Sequence, residues 1–216
     1  MVLRKRDNFA ARNQKVDNKK GDMDKFSYSI GLGIGQNLLS MGARNINAID
    51  FAQAVDDVLK GRKTAITHKE ARDIVNKFFS ELEQKINAEN IAKGKAFLEA
   101  NKKKPGVVTT SSGLQYEVIK AGTGKKPKAT SRVRCHYEGT LIDGTLFDSS
   151  IKRGQPAVFG VNQVIKGWTE ALQMMSEGAK WKLYIPSALG YGAQGAGEMI
   201  PPHSTLIFEV ELIDVI

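Results

Sequence analysis

A chain of 216 residues with 41% hydrophobic and 25% charged side chains is long enough for one large or two small domains with a real core. Its single cysteine, Cys135, excludes an internal disulfide framework, and no run approaches the ~20 consecutive apolar residues that a membrane-spanning helix needs. The formal charge of +9 is uneven: Arg4, Lys5, Arg6, Arg12, Lys15, Lys19 and Lys20 against Asp7 and Asp17 leave +5 in the first twenty residues.

Residues 1–22 read as a basic, solvated leader rather than a nucleic-acid or lipid-binding arm. They hold no apolar core of signal-peptide length, so a cytoplasmic protein is expected, or a periplasmic one if this leader is not native. From Asp24, apolar residues at Phe26, Ile30, Ile34, Leu38 and Met41 mark one helical face. Gly31, Gly33 and Gly35 lie within it and lower helix propensity. No strand precedes them and their spacing is wrong for a dinucleotide loop. Small residues at such spacing instead let a second helix come close.

A second helix carries Ile49, Ala52, Val55, Val58 and Leu59 on its apolar side, with Gly61 as its stop. The third opens with Thr67 and Glu70 at capping-box spacing. Its stripe runs through Ala71, Ile74, Val75, Phe78, Leu82 and Ile86, then thins through Ile91, Ala92, Phe97 and Leu98 before Pro105-Gly106. About 37 residues would span about 55 Å. The polar second half reads as a stalk. Two short helices and one half-apolar long one bury their faces poorly alone. The expectation is therefore an all-helical dimerisation domain over 23–105, forming a homodimer through residues 23–80.

Beyond residue 105 the pattern changes to period two. Leu114, Tyr116 and Val118 alternate with Gln115, Glu117 and Ile119, and Val133, Cys135 and Tyr137 with Arg134, His136 and Glu138. Residues 180–185 and 205–215 alternate too, and Asp143-Gly144 marks a hairpin turn. One short helix fits between Gly167 and Gly178, with Trp168, Ala171, Leu172 and Met175 on one side. The predicted fold class is α+β, with residues 106–216 forming an antiparallel sheet curled over that helix.

The segments most charged with meaning are Val164-Ile165-Lys166-Gly167-Trp168, Tyr137, Phe147-Asp148-Ser149-Ser150, Tyr191-Gly192 and Ile200-Pro201-Pro202-His203. They combine aromatic and branched apolar residues with tight turns, one carboxylate and a few hydroxyls. No metal set accompanies them, since His68, His136 and His203 are far apart, nor does a nucleophile–base pair or a phosphate loop. Such a set suits a reaction that moves no proton and breaks no σ bond, such as rotation about an X-Pro amide, and it calls for no cofactor.

In these segments, taken in order, residues 107–216 resemble the FK506-binding-protein (FKBP) family of peptidyl-prolyl cis-trans isomerases. With residues 23–105 the chain is similar to the bacterial dimeric branch of that family, the FklB and macrophage-infectivity-potentiator (Mip) type. The resemblance implies a half-barrel sheet wrapped on one helix, isomerase activity on proline-containing polypeptides, and binding of FK506 or rapamycin. A stalk and paired domains would add avidity for long clients, so auxiliary chaperone-like client binding is expected as well. It implies Trp168 as the floor of the proline pocket, with Tyr137, Phe147, Asp148, Tyr191 and Phe208 completing the catalytic set. Arg153, Phe159, Val164, Ile165, Met199 and Ile200 are implied as substrate and macrolide contacts, with Arg153 pairing with Asp148. The alternative reading is a non-catalytic peptide-binding or holdase module. Ala157 stands where many members carry Phe, which implies a wider pocket there. Ala196 and Met199 depart from the commoner His and Ile.

Overall fold

The computed structural model describes residues 23–216. The expected basic leader, 1–22, lies outside the described residues. The chain forms two compact units that divide between His68 and Lys69.

In the first unit, α1 (Lys25–Ser40) starts where Asp24 accepts the backbone N–H groups of Phe26 (3.3 Å) and Ser27 (3.1 Å). Helix α2 (Ala48–Leu59) starts in the same way on Asn47, which accepts from Ile49 at 3.0 Å and Asp50 at 3.4 Å. Neither helix buries a single residue. Phe26 is 73% exposed, and Ile49 and Leu59 are each 80% exposed. Among the described residues, a Cβ added at Gly31, Gly33 or Gly35 would meet nothing within 4 Å.

The second unit opens in the first turn of α3 (His68–Asn101), 34 residues that begin directly after Thr67. At about 1.5 Å per residue it spans about 51 Å. The sheet follows: β1 (Val108–Thr109), β2 (Gln115–Lys120), β3 (Arg132–Leu141), β4 (Leu146–Ser149), β5 (Ala157–Gly160), β6 (Lys180–Ile185) and β7 (Leu206–Val215). It is antiparallel throughout, in the order β1-β2-β6-β7-β3-β4, with β5 also on β3. The outer edge of β3 is thus shared: β5 pairs with Arg132 to Cys135, and β4 pairs with Glu138 to Thr140. The β3–β4 hairpin turns at Asp143-Gly144, where Thr145 N–H donates to Asp143 Oδ1 at 2.9 Å. This is the predicted α+β arrangement.

Alternation decides the two faces. Val133 and Cys135 on β3, Leu183 and Ile185 on β6, and Leu206, Phe208, Val210 and Leu212 on β7 point to one side and are buried. They meet Trp168, Ala171 and Leu172 of α4 (Lys166–Met174), with Met175 just beyond it, in one core cluster. Burial pushes the Cys135 thiol up to about 12, as an inert core residue requires.

The opposite face carries Gln115 and Tyr184, and the C-terminal part of α3 docks there. Gln115 Nε2 donates to Leu98 O at 2.9 Å, Asn101 Nδ2 donates to Gln115 Oε1 at 3.0 Å, and Phe97 sits 5.9 Å from the Tyr184 ring. Asn101 is fully buried. The C-terminal half of α3 thus belongs to the same compact unit as the sheet. Few apolar residues mark this half of the helix, because amide side chains and a close approach at Gly94 hold it to the sheet.

Candidate functional site

At one end of the inner face, strands, helix and loop enclose an open cavity of about 510 Å³. Its floor is Trp168, only 4% exposed, in the first turns of α4. Helix α4 comes close to the sheet there because a Cβ on Gly167 would lie 2.6 Å from Ile185 Cγ2.

Three aromatic edges surround the indole: Tyr137 at 5.3 Å, Phe208 at 5.2 Å and Phe159 at 5.4 Å between ring centroids, all steeply tilted. Phe147 meets Phe208 edge-on at 5.4 Å. Such T-shaped contacts suit ring quadrupoles and fix each ring against its neighbour. The indole N–H is buried and has no hydrogen-bond partner among the described residues.

The polar wall is a three-member cluster. Tyr137 Oη donates to Asp148 Oδ2 at 2.5 Å, Arg153 Nη2 donates to Tyr137 Oη at 2.8 Å, and Arg153 Nη1 pairs with Asp148 Oδ1. Burial opposes ionisation of Asp148, but the hydrogen bonds from Tyr137 and Arg153 outweigh it and hold the carboxyl below its ordinary range. Burial, with the Asp148 hydrogen bond, raises the Tyr137 phenol against the opposing pull of Arg153. At neutral pH the cluster is therefore carboxylate, phenol and guanidinium, with the carboxylate's charge compensated.

Eleven of the twelve site residues named from the sequence line this one cavity: Tyr137, Phe147, Asp148, Phe159, Val164, Ile165, Trp168, Tyr191, Met199, Ile200 and Phe208. The twelfth, Arg153, stands behind Asp148 and Tyr137. Ala157 is not among the lining residues and pairs instead with Cys135.

Sequence reasoning missed Gln163, Gly197 and Glu198, which also line the cavity. Two supporting residues complete the site: Ser150, which the sequence singled out only as part of Phe147-Asp148-Ser149-Ser150, and Gly139, which it missed. Ser150, fully buried, accepts the Tyr137 N–H on its Oγ at 2.7 Å, and its own N–H donates to Tyr137 O at 3.0 Å. Gly139 lies opposite Phe208 in β7, and a Cβ there would sit 2.6 Å from both Phe147 Cε2 and Phe208 Cε1. A glycine inside a strand pattern is itself a signal of close approach, and it was available in Tyr137-Glu138-Gly139.

Residues 123–213 match the family model for FKBP-type peptidyl-prolyl cis-trans isomerase, and residues 23–118 match the model for the domain amino terminal to it. The chain is 47% identical to the Outer membrane protein MIP of Legionella longbeachae over 201 residues, 90% of this chain and 86% of that protein. It is also 47% identical to the FKBP-type 22 kDa peptidyl-prolyl cis-trans isomerase of Escherichia coli K12, over 88% of this chain and 94% of that one.

The chain belongs to the FKBP-type peptidyl-prolyl cis-trans isomerases.

Among solved structures, that of FkpA from Escherichia coli matches with a TM-score of 0.73 at 37% identity, covering 91% of this chain and 97% of that one. The match takes in the helical segment as well as the sheet domain, as the resemblance implied. The protein is accordingly a peptidyl-prolyl cis-trans isomerase, and its substrates are proline-containing polypeptides. Among the described residues no helix is long and apolar enough to cross a membrane.

Proposed function

We propose that the Trp168-floored cavity is the site of X-Pro isomerisation and that it works without acid, base or nucleophile. The observation that carries this is an indole almost fully covered by protein yet forming the floor of an open aromatic cavity. Amide resonance sets a barrier of about 18–20 kcal/mol. The half-rotated amide has lost that resonance and carries less charge on its oxygen, so it is less polar than the planar form. A water-poor aromatic site binds it better than the ground state, and only such differential binding raises the rate.

In this reading Trp168, Tyr137, Phe147 and Phe208 grip the proline ring. Tyr191 and the Ile165 N–H hold the flanking carbonyls, and Val164, Phe159, Met199 and Ile200 shape the walls. Asp148 stays ionised, fastened by Arg153 and Tyr137, as a fixed negative charge and not a proton carrier. Exchange spectroscopy on an Ala-Leu-Pro-Phe peptide tests this. Trp168→Leu should lower turnover by more than tenfold, and unchanged turnover would remove the assignment. FK506 and rapamycin should compete for the same cavity, whose volume lies in the usual range for such ligands.

The helical unit supports a homodimer through residues 23–80. Among the described residues the apolar side chains of α1 and α2 are exposed, and a Cβ at Gly31, Gly33 or Gly35 meets nothing within 4 Å. Exposed apolar residues in this number fit an interaction site, and glycines of this spacing suit close helix crossing. Two joined copies offer paired pockets to one long client, which adds avidity and an auxiliary holding activity. Sedimentation equilibrium of the full chain should give the mass of two chains, and Phe26→Asp should shift it toward one.

The cytoplasmic expectation draws no support from the relatives, one of which is named an outer membrane protein. An extracytoplasmic site is the reading favoured here, and fractionation of the native protein tests it.

A further inference from the structure

We propose that Asn90, on the long helix α3, is a positioning residue for the pocket rim: by holding Pro202 it fixes the 191–204 loop and so sets how firmly the chain beside the proline is held. This rests on the site reading above.

The loop supplies Tyr191 and residues 196–200 to the cavity. It is closed by its own hydrogen bonds. Ala196 N–H donates to Ile200 O at 2.9 Å, Ile200 N–H donates to Ala196 O at 3.1 Å, and His203 N–H donates to Gly192 O at 2.8 Å. At Gly195 (φ 63°) the two arms run so close that a Cβ would lie 2.3 Å from Ile200 O and 2.9 Å from Pro202 N. A shift of Pro202 therefore passes directly to Gly195 and Ala196.

Proline has no backbone N–H, so Pro201 and Pro202 can be hydrogen-bonded only through their carbonyls. Pro201 O accepts the Ser204 hydroxyl at 2.7 Å, a bond within the loop. Pro202 O accepts Asn90 Nδ2 at 2.9 Å, a partly buried bond from a residue 112 positions away.

One turn further along the same face of α3, Gly94 meets the loop's exit. A Cβ there would lie 2.4 Å from Thr205 Oγ1. Thr205 is buried and leads into β7 and Phe208. The helix is itself held to the sheet through Leu98 and Asn101. Asn90 and Gly94 thus grip the loop on either side of His203-Ser204 from a fixed body. A helix serving only as a spacer needs no bond to a pocket loop.

The test uses the full chain with Asn90→Asp, which opposes a carboxylate to the Pro202 carbonyl, and Asn90→Ala, which removes the donor. Loss of one neutral hydrogen bond corresponds to roughly 2- to 10-fold. Amide exchange at Ala196 and Ile200 should accelerate by that factor, while exchange at Cys135 and Val210 stays constant. KM for the proline tetrapeptide should rise by a similar factor, with kcat within about twofold, the factor at the lower end of that range. Unchanged exchange at Ala196 and Ile200 in both variants overturns the tether. Equal acceleration throughout the sheet with a lowered melting point overturns it in favour of a general structural role. Faster loop exchange with unaltered KM overturns the rim's part in holding substrate. The exchange arm needs no turnover, so an inactive parent would refute the site reading and leave the tether to be judged by its own measurement.

Discussion

Replacing Gly139 by alanine places one methyl group where two pocket rings already lie. The added carbon would sit 2.6 Å from Phe147 Cε2 and from Phe208 Cε1. Ordinary carbon contacts start near 3.5 Å, so both rings must withdraw by roughly 1 Å. Neither can do so freely: Phe208 is wedged edge-on against Trp168 at 5.2 Å and against Phe147 at 5.4 Å. Overpacking of this kind costs about 1–3 kcal/mol. In a protein of this size that lowers the melting temperature by roughly 2–12 °C. Misplacing binding groups by about 1 Å can cost about 100-fold in rate, so kcat/KM on a proline tetrapeptide should fall by roughly 10- to 100-fold. Thermal unfolding and exchange spectroscopy read the two effects separately. Adding Phe147→Leu should return part of the stability by vacating one of the two contacts, without restoring turnover, and this non-additivity is the signature of direct contact. A Gly139→Ala protein with the parent's melting point and turnover would refute the argument that this glycine seats the two rings.

Leu172, fully buried between α4 and the sheet, should cost about 2–5 kcal/mol when cut to alanine, read by urea denaturation. Asp148 has a lowered folded pKa, so the stability it shares with Arg153 and Tyr137 is fully present above the ordinary carboxylate value near ~3.9 and is lost as pH falls through the lowered one. Because Tyr137 is shifted upward, kcat/KM should be flat from about pH 5 to about pH 9, between the ordinary carboxylate and phenol values; a limb within that window would point to a titrating catalyst. Cys135, buried and with its thiol raised to about 12, should resist a thiol reagent in the native protein and react fully in denaturant.

Much of the fold is legible because both periods are strong. The i, i+4 stripe from Phe26 and the alternation around Tyr137 each announce one element type, and Asp143-Gly144 announces its turn. That the residues of the candidate site share one cavity is legible for a different reason: few tasks call for so many aromatic residues around one carboxylate, in an order that a known family shares. What stays hidden are interactions without an apolar signature. The docking of α3 runs through Asn90, Gly94, Gln115 and Asn101, and a hydropathy pattern treats all four as solvent-facing. Ser150 and Gly139 act through absence of bulk or through one hydroxyl, so their importance appears only once Tyr137, Phe147 and Phe208 are placed beside them. The short β1, β4 and β5 carry too few residues for a period of two to emerge.

The chain's two indoles sit in opposite circumstances. Trp181 is stacked at 4.3 Å and 10° on Tyr116, while Trp168 forms the cavity floor. Filling the cavity alters the surroundings of the second and leaves the first alone. The enzyme therefore carries its own optical gauge of occupancy: Trp181→Phe would yield a single-emitter protein whose fluorescence follows ligand titration without any attached dye.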